Sequence, residues 1–136
     1  MAPFEEINIP QKPPMVMVDR LINIAEKTTI TSFLIREDNI FCKDGCFTEP
    51  GLIENMAQSA AAGVGAKPGI KSGEAPIGFI GGIRNLKISS LPAAGDEIQT
   101  TVTVTHEIFD ATIVQGEVHL NGELIASCEL KIFLVK

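Results

Sequence analysis

GLIENMAQSAAAGVGA, residues 51–66, decides the fold. It holds no β-branched run and many alanines, so it reads as a helix over residues 52–66. At about 100° per residue, Glu54, Asn55, Gln58 and Ser59 fill one arc of about 140°. Ile53, Met56, Ala57, Ala60 and Val64 fill the opposite side. The small residues Ala57, Ala60, Ala61, Ala62 and Gly63 would let a sheet approach closely. The segment therefore predicts a core helix with one polar stripe, carrying a single carboxylate, Glu54.

The flanking sequence reads as strands. MVMVDRLINI (15–24) is short and β-branched, and TTITSFLIRE (28–37) alternates in period two. Before them, residues 1–14 form a lead-in in which Pro10, Pro13 and Pro14 block ladder pairing. DNIFCKDGCFTEPG (38–51) carries two turn signals, Asp44-Gly45 and Pro50-Gly51. After the helix, KPGIKSGEAP (67–76) is a loop, and IGFIGGIRNLKISSL (77–91) is a long strand bent at Gly81-Gly82. LPAAGD (91–96) turns, and three strands follow. In the first, Ile98, Val102 and Val104 share a face with His106. The last two are joined by Asn121-Gly122, a two-residue hairpin signal.

Two strands, one buried helix and four strands are best satisfied by an α+β fold. A six-stranded antiparallel sheet wraps around one long central helix, the hotdog architecture, in a single domain over residues 1–136. A sheet of this kind leaves an edge, so a homodimer or a heterodimer with a related hotdog subunit is expected.

Composition narrows the function. A net charge of -6 and the absence of Trp and Tyr argue against a nucleic-acid surface. Acidic partners that dock on a local basic patch stay open. No run reaches the length of a membrane span. The start, MAPFEEINIPQKPP, has early acids and no apolar core of a signal peptide. With Cys42, Cys46 and Cys128 forming no disulfide framework, it suits the cytoplasm.

The Cys42–Cys46 spacing lacks two further ligands for zinc, so no metal is expected. Cys128 shares a face with Leu124, Ala126, Leu130 and Ile132 and reads as core. His106 by parity lies on an apolar face and His119 on a polar one; a lone strand histidine is more often packed or solvated than catalytic. Gly63 and Gly65 belong to no phosphate-binding motif. On the residues alone, Glu54 is either a site carboxylate or a helix-start acid near the positive dipole end.

Three segments resemble the β-hydroxyacyl-acyl-carrier-protein dehydratases of the hotdog superfamily. PQKPPMVMVDRL (10–21) is similar to the family's entry motif, Pro-His-Arg-x-Pro-Phe-Leu-Leu-Val-Asp-Arg. PGLIENMAQSAA (50–61) is similar to its helix motif, and GFIGGIRNLKISSLPAAGDEI (78–98) to its Gly-Ile to Pro-Gly-Asp segment. The short PGLIE spacing looks more like the subgroup associated with aryl polyene and related pigment clusters.

The resemblance implies an acyl thioester of acyl carrier protein or coenzyme A as partner, no cofactor, and a tunnel at a dimer interface. In the family a His takes the α-proton, a helix carboxylate protonates the departing hydroxyl, and helix N–H groups face the thioester carbonyl. It places Glu54 at the carboxylate position and Gln11 at the His position, and puts Asp19 and Arg20 at a position concerned with structure, which implies a structural ion pair. It assigns substrate contacts to Gly51, Asn55, Gln58, Phe79 and Ile80, while on the residues alone Gln58, four residues after Glu54, could instead hydrogen-bond that carboxylate or cap strand backbone. Gln11 has no useful basicity, and the family's Gly-His-Phe-Pro signature is replaced by DGCFTEPG. Three functions stay open: a dehydratase or dehydratase-like subunit, a hotdog thioesterase using Glu54 with Gln11 or Gln58, and a non-catalytic partner of an active dehydratase.

Overall fold

The computed structural model describes residues 7–135; the acid-bearing start of the lead-in lies outside the described residues. The chain runs β1 (Arg20–Ile24), β2 (Thr28–Leu34), β3 (Cys42–Lys43), β4 (Cys46–Phe47), α1 (Glu49–Gly65), β5 (Gly78–Ile88), β6 (Glu97–Ile108), β7 (Ala111–Leu120) and β8 (Glu123–Leu134). Six strands form one antiparallel sheet in the order β1-β2-β6-β7-β8-β5, and β3 and β4 make a separate small hairpin. The expected helix-wrapping sheet is present.

Several boundaries move. Residues 15–19 stay outside the sheet, and β1 begins at Arg20. The expected Pro50-Gly51 turn is instead the first turn of α1, where Pro fits because its missing N–H has no helical partner to lose. Asp44-Gly45 turns the β3–β4 hairpin with positive φ at both residues, 53° and 78°. Asn121-Gly122 does the same between β7 and β8, at 52° and 82°. The bend expected at Gly81-Gly82 is a register shift between Ile80 and Gly82 on β5.

Leu52 and Met56 of α1 pack on Ile98, Val102, Val114, Val118, Cys128 and Leu130 of the sheet, with Phe33 and Phe47 closing one side. Close approach is secured by two glycines. A Cβ on Gly116 would fall 2.6 Å from Met56 Sδ, and one on Gly63 would overlap Thr29 Oγ1. Cys128, donating to Met56 Sδ at 3.8 Å, is confirmed as core; burial pushes its thiol up to about 11. Leu124 does not share that face. The β7–β8 register shifts between Val118 and His119, Ile125 turns inward, and Leu124 is exposed.

Asp19 and Arg20 form ion pairs, though not with each other. Asp19 accepts from Leu34 N–H at 2.7 Å and faces Arg36 at 3.4 Å, while Arg20 faces Glu97 at 3.3 Å.

The helix is inverted relative to an ordinary amphipathic one. Its polar stripe is the buried side: Asn55, Gln58 and Ser59 have no exposed surface. Ala57, Ala60, Ala61 and Val64 form the half-open side. Burial of the polar stripe is stable because every group is used. Asn55 Nδ2 donates to Met17 O at 2.8 Å, and Thr100 Oγ1 donates to Asn55 Oδ1 at 2.5 Å. Ser59 Oγ bonds Thr31 Oγ1 and Asn55 O, both at 2.7 Å. Asn55→Ala would strand a buried hydroxyl and a buried carbonyl, so we expect it to lower unfolding free energy by about 3 kcal/mol. Urea denaturation checks this: the midpoint should fall with the slope unchanged.

Candidate active site

A groove of about 760 Å³ lies between the half-open side of α1 and the sheet. Its walls are Ala57, Ala60 and Val64 from the helix and Val102, Val104, Val114 and Ile132 from the strands. Glu54 and Gln11 both border it.

Glu54 lies in the second turn of α1, because the helix starts at Glu49. The dipole effect falls off within the first turn, so the helix-start reading of this carboxylate does not hold; Glu49 occupies that place. What fixes Glu54 is Gln58, one turn on. Gln58 Nε2 donates to Glu54 Oε1 at 2.8 Å and to Met15 O at 2.8 Å, while Gln58 Oε1 accepts from Met17 N–H at 2.6 Å. Every hydrogen-bonding capacity of the amide nitrogen is spent, so its orientation is determined by three bonds. Among the described residues Glu54 Oε2 has no hydrogen-bond partner, which leaves one oxygen able to exchange a proton at the groove wall.

Gln11 enters from the lead-in, whose backbone runs beside α1 in the opposite direction. Asn8 bonds Gly65 O at 3.1 Å near the helix end, whereas Met17 meets Asn55 and Gln58 near its start. Gln11 Oε1 is buried with no partner among the described residues. A buried carbonyl oxygen without a donor is disfavoured.

The other expected contacts divide. Ile80 and Phe79 border the groove. Phe79 pairs across the strands with Phe133, their rings 5.5 Å apart, and is 56% exposed. Gly51, Asn55 and Gln58 are not on the groove wall. Gly51 is packed against Phe47 and Phe41 with no room for a Cβ, and its N–H donates to Thr48 O at 3.0 Å, so it is not free to bind a substrate carbonyl. Asn55 is consumed by Met17 and Thr100. Gln58 reaches the groove only through the oxygen it holds on Glu54.

Neither histidine lies there. The β6–β7 register shifts between Val104 and His106, which breaks the parity of β6. His106 is consequently exposed, with Nδ1 3.2 Å from Thr105 Oγ1, and Glu107 faces the groove instead. His119 lies across the sheet beside Arg20, Ser32 and Gln99. Sequence reasoning missed Glu107, Lys27 and Lys67 as groove residues; the bulge that redirects Glu107 leaves no mark in the residue alternation. Burial, then Cys46 and Asp38, raise the Cys42 thiol above its ordinary range, and no cluster among the described residues could hold a metal. No helix among them is long and apolar enough to cross a membrane.

The sequence profile of the ApeP-like family, described as ApeP dehydratase, matches residues 4–136. The 3-hydroxyacyl-[acyl-carrier-protein] dehydratase FabZ of Aromatoleum aromaticum is 27% identical over 128 residues, covering 90% of this chain and 88% of that protein. Its counterpart from Clostridium botulinum strain Okra is 26% identical, covering 96% of each. In structure, the chain is similar to a chain of the dehydratase heterocomplex ApeI:P from Xenorhabdus doucetiae, with a TM-score of 0.83, 17% identity, and coverage of 94% and 88%. An uncharacterised protein from Pyrococcus horikoshii matches with a TM-score of 0.72 at 12% identity, covering 99% and 96%. These likenesses establish the shared fold.

Proposed function

The chain belongs to the ApeP-like family of dehydratases, and from that premise we propose that it binds a 3-hydroxyacyl thioester of acyl carrier protein in the groove beside α1, with Glu54 as the acid that releases water. In this elimination a base removes the α-proton. The C–H electron pair becomes the new double bond, the C–O bond breaks, and the hydroxyl leaves as water with the proton from Glu54. The observation that carries the reading is the clamped carboxylate: Gln58 holds Oε1 at 2.8 Å, and Oε2 stays free at an apolar wall.

The groove of this chain holds no imidazole to act as the base. Both of its histidines lie elsewhere, and Gln11 can accept a hydrogen bond but not a proton. We therefore propose that the working unit is a dimer with a related hotdog subunit, joined along the free edge of β5. That edge is 11 residues long and presents Phe79, Ile83 and Leu86, which are 56%, 43% and 40% exposed. An apolar unpaired edge of this length is a pairing surface. The heterocomplex with which the fold is shared supports a mixed pair over a pair of like chains.

One preparation tests both points. Light scattering should give a mass well above the 14.6 kDa of a single chain, and the dimer with its related subunit should turn a 3-hydroxyacyl thioester into the enoyl thioester. Release of free thiol without enoyl product would replace dehydration by hydrolysis, and a single-chain mass at micromolar concentration would remove the dimer.

A further inference from the structure

The outer face of the sheet carries a second cleft, of about 550 Å³. One cross-strand row builds it. Arg20 on β1 stands opposite Ser32 on β2, Ser32 opposite Gln99 on β6, and Gln99 opposite His119 on β7. Residues directly opposite one another share a face of the sheet. Thr31 and Thr100, next along the chain, point the other way and bond Ser59 and Asn55 of α1. The row therefore lies on the side away from the helix. β8 stands between the cleft and the free edge of β5, and no lining residue is shared with the groove.

Ser32 is the anomaly of this row. It is 6% exposed, between an exposed Arg20 and an exposed Gln99. It lines the cleft, and its Oγ has no hydrogen-bond partner among the described residues. The buried hydroxyls on the helix side, Thr31 and Thr100, both have partners. A buried hydroxyl without a partner is worse than an apolar group filling the same space. Alanine would serve this strand better unless something in the cleft bonds the oxygen.

The lining sets the chemistry of that occupant. Its charges are already matched, Arg20 against Glu97 at 3.3 Å. An anion would compete with Glu97 for the guanidinium, and a cation would compete with Arg20 for the carboxylate. The other polar side chains around the cleft are Ser32, Gln99, Thr101, His119 and Asn121. Each can both donate and accept, and among the described residues none of these side chains is engaged in a hydrogen bond. An anion brings acceptors alone and an ammonium group donors alone. A hydroxyl brings both. Ile22, 40% exposed, adds an apolar wall against which the C–H face of a ring can lie. Ser32 and His119 stand two strand spacings apart, about 10 Å, the reach of a compact polyhydroxylated molecule.

We propose that this cleft binds a neutral, hydroxyl-rich ligand of the saccharide class, with Ser32 and Gln99 bonding it from the floor and His119 from the side. The site stands apart from the groove and does not depend on the thioester reading. The test titrates glucose, maltose and inorganic phosphate into the isotope-labelled full chain and follows the backbone amide resonances. At least one of the sugars should shift the amides of Ser32, Gln99, Thr101 and His119 saturably and leave those of Glu54 and Val64 in place. Phosphate should shift none of them. Gln99→Ala, a change at an exposed position, should weaken the sugar by about three- to tenfold. Ser32→Ala should weaken it likewise without lowering the melting temperature of the free protein, since the lost hydroxyl bonds nothing in the fold. Glu54→Gln should bind the sugar as the wild type does.

No saturable shift with either sugar up to about 100 mM would overturn the proposal, as would phosphate shifting the cleft amides in their place. Unchanged sugar affinity in both Ser32→Ala and Gln99→Ala would put the sugar elsewhere and remove the site. Shifts of the same amides on concentrating the protein without ligand, with a matching rise in mass by light scattering, would give this face to a second copy of the chain and likewise overturn it. Enoyl production by the dimer is a separate readout, so failure here leaves the thioester reading standing.

Discussion

Glu54→Gln should lower enoyl production by about 10²–10⁴-fold in the dimer while leaving thermal stability nearly unchanged. The amide keeps the size of the carboxyl and can still accept from Gln58 Nε2 through its oxygen, so the clamp on Met15 and Met17 survives. What disappears is the transferable proton. Leaving hydroxide without protonation is the difficult part of the elimination, so loss of the acid should appear in kcat more than in KM. Unchanged turnover would assign the protonation to another group.

Gln11→His is expected to act in the opposite direction. The groove lacks an imidazole, and imidazole is the side chain whose unperturbed pKa lies nearest neutral pH. Gln11 already borders the groove, so an imidazole at this position would stand beside it. For the chain by itself, dehydration should rise by at least about tenfold, with Glu54 still required. The comparison is enoyl-thioester absorbance for wild type, Gln11→His, and Gln11→His combined with Glu54→Gln. A brisk wild-type rate from the isolated chain would show that the base is already present.

Much of the architecture was legible because its signals are local. An alanine-rich helix, an Asn-Gly hairpin and a Gly-Gly bend each announce themselves within a few residues, and each is found. The errors concentrate where register changes. Reading β6 and β8 with a constant period of two put His106 and Leu124 on the core side. One irregularity in each pairing reverses them and brings Glu107 to the groove.

The site was half legible for a related reason. The motif pointed to Glu54, and the four-residue spacing offered its bond with Gln58, which is found, but Asn55 looked like a substrate contact because polar residues on a helix carry no record of their distant partners. Those partners, Met15, Met17 and Thr100, lie 38 to 45 residues away in sequence and are mostly backbone atoms, to which side-chain chemistry gives no clue.

The groove is walled by parts that form contacts over very different spans of chain. β6, β7 and β8 pair with their immediate neighbours through tight turns, whereas β2 reaches β6 across the whole helix, as in the pairing of Thr28 with Thr103. Closing that long loop is entropically slow, so the meander should be in place before the lead-in and β2 lie down against α1. Gln11 and the backbone atoms that hold Gln58 all belong to the late-arriving segment. The molecule should therefore possess the β6-β7-β8-β5 part of its sheet while Glu54 is still unclamped, and if Glu54 is the acid, competence for chemistry should be the last property the chain acquires as it folds.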